Sequence, residues 1–201
     1  MDVSQLFSEQ LDGLLDISRL DADVVTAELC AVKISSLMRQ HGVEVQSLAA
    51  AKGIRCNLLC MTDAYVNTDA ALLSRVLRNL TQSAIKFTDH GSITLKATLM
   101  TDHVQLAVRD TGRGIAPDQH EKVFQEFYQA GNAERDRAQG VGLGLSIDRR
   151  VTDMLGTCTC SQHLGRAHNS YCNCRWQMRR KPPPVPKESP GQRLQPVRTG
   201  D

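Results

Sequence analysis

The run RVLRNLTQSAIKFT, Arg75 to Thr88, sets Leu77, Leu80, Ala84 and Phe87 at helical spacing along one side. Asn79 and Ser83 stand one turn apart on another side of the same helix, which Asp69 opens; Gly91 ends the passage. Earlier, SQLFSEQLDGLLDIS over 4–18 predicts a helix with Leu6, Phe7, Leu11, Leu14, Leu15 and Ile17 as its apolar side. Arg19 to Glu28 reads as an acidic connector, and Ala31 to Ala51 as a second helix ending near Gly53. IRCNLLC reads as a strand. Ser92 to Leu99 and Val104 to Val108 alternate as strands around a turn at Thr101 and Asp102. A loop region spans Asp110 to Gly140, and Leu143 to Leu155 predicts a helix closed at Gly156. TCTCSQH and SYCNCRWQM then alternate as two paired strands. This order predicts an α/β two-layer sandwich, a mixed sheet with its helices on one face, preceded by a helix.

Composition changes this picture mainly at the two ends. The 201 residues, 41% of them apolar, suffice for one domain with appendages. The net charge of +2 points to no nucleic-acid partner. Met1 to Cys30 carries seven acidic residues and one basic one, whereas Arg179 to Asp201 carries six basic and two acidic. That tail also holds six of the seven prolines and cannot bury a core, so it reads as a disordered or extended basic segment. No run of eighteen apolar residues forms a membrane span, and the start lacks a basic region followed by an apolar stretch, so a cytoplasmic location is expected. Seven cysteines raise the question of metal. The spacings Cys158-Thr-Cys160 and Cys172-Asn-Cys174 are those of strands, and the cysteines read as small core residues rather than zinc ligands.

Two glycine-rich segments carry candidate chemistry. In VQLAVRDTGRGIAP a strand ends at Asp110 and runs into Gly112 and Gly114; a carboxylate there can accept hydrogen bonds from an amino group such as that of adenine. In GVGLGLSIDRR, Gly140, Gly142 and Gly144 open a helix, and backbone N–H groups at such a start make a seat for phosphate. The P-loop, the dinucleotide-binding glycine pattern and the protein-kinase signatures are absent.

Taken in order, these pieces resemble the ATP-binding catalytic domain of bacterial two-component sensor histidine kinases, in the superfamily shared with gyrase and Hsp90. RVLRNLTQSAIKFT resembles the N box, DTGRGI the first glycine box, VFQEFYQ the F box and GVGLGLSI the second glycine box. LLDISRLDADVV resembles the end of the dimerisation and phosphoacceptor helix with its linker, and EFYQAGNAERDRAQGVGLGLSI is similar to kinases of the hybrid type. The resemblance divides the chain into the end of the dimerisation helix at 1–20, a linker at 21–30, the ATP-binding domain at 31–178 and the tail at 179–201. It implies ATP and Mg²⁺ as cofactors. It implies a response regulator or receiver domain and a phosphoacceptor-helix domain as partners, and the N-terminal apolar stripe offers a surface for a homodimer. Asp110 would take the adenine amine, with Gly112 and Gly114 shaping the pocket. Asn79 and Lys86 would face the phosphates or metal, and Phe124 would brace a lid over roughly 126–139. Arg135 or Arg137 would approach the terminal phosphate, and Gly140, Gly142 and Gly144 would receive the phosphates.

The chain departs from this pattern twice. The family places a second asparagine four residues after Asn79, where its amide oxygen holds Mg²⁺; here that position is Ser83. A hydroxyl on a stem one carbon shorter is a weaker ligand for an ion that demands octahedral geometry at about 2.1 Å. The transfer step depends on metal placement more than binding does. Moreover, none of His41, His90, His103, His120, His163 and His168 stands in an acceptor motif, so a fragment lacking the acceptor is expected. Two alternatives follow: a catalytically impaired kinase serving as a regulatory nucleotide-binding module, and an ATPase of the gyrase and Hsp90 type. The latter uses a glutamate as general base where this chain has Asn79, and an amide is a poor base.

Overall fold

The computed structural model describes residues 26–101, 103–129 and 142–155, together with the backbone of strands within 158–179. Its elements follow the order β1 (Cys30–Lys33), α1 (Ile34–Ala51), β2 (Arg55–Cys60), β3 (Tyr65–Thr68), α2 (Ala70–Phe87), β4 (Ser92–Leu99), β5 (His103–Asp110), α3 (Gly144–Met154), β6 (Cys158–Leu164), β7 (Ser170–Trp176) and β8 (Met178–Arg179). Short 3-10 turns at Pro117–Gln119 and Lys122–Phe124 lie between β5 and α3.

The main sheet runs β2-β4-β5-β7-β6, with β8 also paired to β5. The β2–β4 pair is parallel and the β4–β5 and β6–β7 pairs are antiparallel, so the sheet is mixed as expected. Period-two alternation decides which face is covered. Ile93, Leu95 and Ala97 of β4 and Val104, Leu106 and Val108 of β5 are buried in one core with Met38, Val45, Leu73, Val76, Leu77, Leu80, Ile147 and Val151 of the three helices. Thr94, Lys96 and Arg109 belong to the opposite, outer face. Paired residues of neighbouring strands share a face, so the Ile93–Asp110 pairing turns Asp110 toward the helices.

Helix α2 begins where Asp69 caps it: one carboxylate oxygen accepts the N–H groups of Ala71 at 2.9 Å and Leu72 at 3.0 Å. The other oxygen accepts the Glu28 N–H at 2.9 Å and so ties the entering chain to this helix start.

The structure corrects the sequence reading at the first helix. Cys30 to Lys33 is a strand, and the helix starts only at Ile34. Val32 pairs with Val66, and β1 and β3 form a separate two-stranded ribbon. β-branched residues on both strands favour that pairing over an extra helical turn. A second correction concerns Phe87. It does not join the apolar core but is half-buried beneath two cations, the Arg113 guanidinium 4.5 Å and the Lys86 ammonium 5.1 Å from its ring centre. The expected helix over 4–18, the tail and the side chains of the four strand cysteines lie outside the described residues. Among the described residues no helix is long and apolar enough to cross a membrane, and no cluster of His, Cys, Asp or Glu has metal-site geometry.

Candidate functional site

The end of β5, the C-terminal half of α2 and the start of α3 converge. The Asp110 carboxylate accepts the Gly112 N–H at 2.9 Å, which holds the turn after β5 in shape. The next residue anchors that turn to the helix, because the Arg113 N–H donates to the Phe87 carbonyl at 3.2 Å. Thr111 fastens the other side: its N–H donates to the Ser92 carbonyl at 3.1 Å and its hydroxyl accepts the Ser92 N–H at 3.0 Å. Asp110 is thus held both by the sheet and by its own turn, and Gly114, with φ of +73°, continues the turn.

Helix α3 meets α2 through Asn79. The Asn79 amide nitrogen donates to a carboxylate oxygen of Asp148 at 2.7 Å. Its amide oxygen lies against Gly144, where an added Cβ would stand 2.5 Å away. Gly144 and Asp148 are one turn apart on α3, so the amide spans a single turn of that helix, from its glycine start to a buried carboxylate. A side chain at position 144 would therefore force the Asn79 amide to move. Leu143 stands at the helix N-cap and supplies no capping side chain, and unsatisfied N–H groups at such a start suit an anion. Ser83, one turn beyond Asn79 on α2, is half-buried.

The segment expected to be the lid is described only at its base. The Phe127 N–H donates to the Gly142 carbonyl at 3.1 Å, closing the two ends of that segment on each other. Gly142 has φ of +77°, and a Cβ there would meet the Tyr128 carbonyl oxygen at 2.6 Å, so this glycine allows the close approach of residues 127–128. Arg150 of α3 pairs with Glu126, and the Arg149 guanidinium lies 5.9 Å from the Phe124 ring centre. Phe124 is thus packed toward α3. Lys86 is exposed near the end of α2. Arg135, Arg137 and Gly140 lie outside the described residues.

Asp148 was not among the residues that sequence reasoning singled out. In SIDRR it looks like an ordinary charge on a helix, and its partner stands sixty-nine residues away. Only its place four residues after Gly144 hinted at a shared face. Leu59, Ser92, Thr94, Lys96 and Arg109 line a hollow on the sheet that Asp110 and Thr111 also border.

A family profile described as "Histidine kinase-, DNA gyrase B-, and HSP90-like ATPase" matches residues 68–179. The chain belongs to this ATPase family. Its relatives are sensor kinases. It is 35% identical over 166 residues to the virulence sensor protein BvgS of Bordetella pertussis, covering 77% of this chain and 13% of that one. It is 30% identical over 154 residues to the sensor histidine kinase RcsC of Escherichia coli, covering 76% of this chain and 16% of RcsC. The chain thus spans well under a fifth of the length of these relatives. Among solved structures it is similar to full-length ShkA in complex with AMPPNP, with a TM-score of 0.76, 26% identity and coverage of 88% of this chain and 37% of ShkA. It is also similar to the catalytic domain of histidine kinase ThkA in a nucleotide-free form, with a TM-score of 0.65, 25% identity and coverage of 75% and 95%. The ATPase-family match includes α2, the Asp110 turn and α3, the elements that build the site.

Proposed function

We propose that this chain is the ATP-binding catalytic region of a sensor histidine kinase. It would bind ATP between α2 and α3 and pass the γ-phosphate to a histidine on a phosphoacceptor helix, from which a response regulator or receiver domain takes it. The observation that carries this reading is the convergence on one side of the sheet of three features. These are a carboxylate fixed at a strand end, a glycine-opened helix start and the Asn79 amide between them. Asp110 accepts the adenine amine, with Gly112 and Gly114 leaving room for the ring. The first turn of α3, from Gly144, faces the phosphates, and Lys86, with Arg135 or Arg137 from the lid, adds positive charge. The similarity to ShkA, whose structure holds AMPPNP, supports this placement.

The residues present suit Mg²⁺ as the accompanying ion. Because the Asn79 nitrogen is taken by Asp148, its amide oxygen is the end that faces away from the carboxylate, and the Ser83 hydroxyl stands one turn on. Both are hard oxygen donors, and Mg²⁺ commonly takes only one or two protein ligands besides phosphate oxygens and water. When bound, the ion would supply positive charge to offset the negative charge that develops in the transfer.

A second reading rests on Ser83. With one of two amide ligands replaced by a shorter hydroxyl, nucleotide binding outlasts transfer, and the region acts as a regulatory nucleotide-binding module. Calorimetric titration with ADP and with a non-hydrolysable ATP analogue, each with and without Mg²⁺, tests the common part of both readings; no binding in any condition refutes it. Phosphate transfer from ATP to a supplied phosphoacceptor-helix domain separates them. The kinase reading expects transfer by the unaltered chain and a faster rate in Ser83→Asn. Transfer only after that substitution favours the regulatory module.

A further inference from the structure

We infer that Asp148 is a positioning residue for Asn79, one that offsets the loss of the second amide at Ser83. The inference rests on the nucleotide-binding reading above and concerns the metal-facing side of that site.

An asparagine amide is ambiguous in most sites, since its oxygen and nitrogen are close in size and exchange places by rotation about one bond. Here chemistry removes the ambiguity. The amide nitrogen is its donor end, and it is the nitrogen that lies 2.7 Å from a carboxylate oxygen of Asp148. The whole amide lies against Gly144 at the start of α3, where an added Cβ would stand 2.5 Å from its oxygen and 2.8 Å from its nitrogen. Two constraints hold the group: the hydrogen bond from its nitrogen to Asp148 and the close approach of the whole amide to a Cβ-less residue. Both come from one turn of one helix, which keeps their separation constant.

Orientation is one consequence, and donor strength is another. An amide that donates N–H to a carboxylate carries more negative charge on its oxygen, because hydrogen bonds in a chain polarise one another. Partners behind a ligand raise its basicity and fix its direction in the same way at metal sites. Asp148 is 1% exposed, so water does not dissipate its field. A site with a single amide oxygen, held in one orientation and polarised from behind, retains part of the ion affinity that two amides would supply. Ser83 and Asp148 are thus read together: one weakens the donor set and the other strengthens what remains.

The test compares ADP affinity with and without Mg²⁺ by calorimetry in the unaltered chain, Asp148→Asn and Asp148→Ser, with a thermal melt of each. The inference expects Mg²⁺ to tighten ADP binding in the unaltered chain. It expects either substitution to lower that gain on the order of tenfold, the scale seen when a partner behind a metal ligand is lost. Affinity for ADP without metal should stay within about twofold. Adding Ser83→Asn to either variant should restore the Mg²⁺ gain, which repair of general packing would not do. A variant that keeps the full Mg²⁺ gain refutes the inference, as does one that loses metal-free and Mg²⁺-dependent affinity in equal measure. Asp148→Ser keeps a small polar acceptor at the helix contact and supplies the comparison if Asp148→Asn fails to fold. Absence of ADP binding by the unaltered chain would instead refute the nucleotide-binding reading itself.

Discussion

Replacing Asp110 by asparagine changes one atom and its hydrogens while leaving the side chain the same size and shape. One carboxylate oxygen accepts the Gly112 N–H at 2.9 Å, and the asparagine carbonyl can keep that bond. The amino group then falls where the second carboxylate oxygen stood, so an adenine amine arriving there meets a donor instead of an acceptor. A buried donor left badly paired costs about 1–3 kcal/mol, which corresponds to ADP binding weaker by roughly 5- to 150-fold. The fold should lose far less. The capped turn survives with a neutral acceptor in place of a charged one, a loss of about 1 kcal/mol, or a few degrees in melting temperature. Asp110→Ala provides the contrast, because it removes the turn bond as well and should lower both affinity and melting temperature. Calorimetric ADP titration paired with a thermal melt of each variant reads both quantities. If folded Asp110→Asn binds ADP within about twofold of the unaltered chain, the carboxylate only shapes its turn and the adenine assignment fails.

Gly144→Ala sets two effects against each other. Alanine gains about 1 kcal/mol of helix propensity, but its Cβ would stand 2.5 Å from the Asn79 amide oxygen, so the variant should be less stable in urea. In an Asn79→Ala background the same change should become neutral or stabilising, with a coupling of about 1–3 kcal/mol. His41 adds a pH dependence. Its ring nitrogen lies 3.0 Å from the Thr81 hydroxyl between α1 and α2. Burial lowers its pKa from the ordinary 6.5, opposed by the charge of Glu44 and the Leu77 carbonyl and assisted by Arg78. The unfolded chain then binds the proton more readily, so His41 makes stability rise with pH from its lowered value up to about 6.5 and adds no slope above that. Urea midpoints from about pH 5 to about pH 8 should show this slope reduced in His41→Gln, and an equal slope in both proteins would refute it.

Much of the scaffold was readable because local and global signals agree. Asp69 before an apolar run predicted where α2 begins, and the carboxylate does cap that helix. Strict alternation in Ser92–Leu99 predicted β4, whose every second side chain enters the core. The strands β1 and β3 were missed because four residues are too few to show a period, and each is stabilised by the other across more than thirty positions of chain. Phe87 was misplaced for a related reason. Helical spacing gives a side chain's direction but not what meets it, and Arg113 arrives over its ring from the far end of β5.

The same limit bears on how a missing ligand should be weighed. Read along the chain, Ser83 is a loss at a metal position, and the natural conclusion is an impaired enzyme. That conclusion assumes that the other positions of the site keep their ordinary strength. Asp148 touches the first amide from a helix sixty-nine residues further on, and no window short enough to show periodicity contains both. A carboxylate buried against an amide is costly unless the hydrogen bond between them is made, so the contact constrains Asn79 whatever else occupies the site. The effect of serine at position 83 therefore depends on the residue at 148. Under the proposed Mg²⁺ site, substitutions at the two positions should be non-additive in Mg²⁺-dependent nucleotide affinity, because Ser83 and the Asn79 amide held by Asp148 would be donors to one ion.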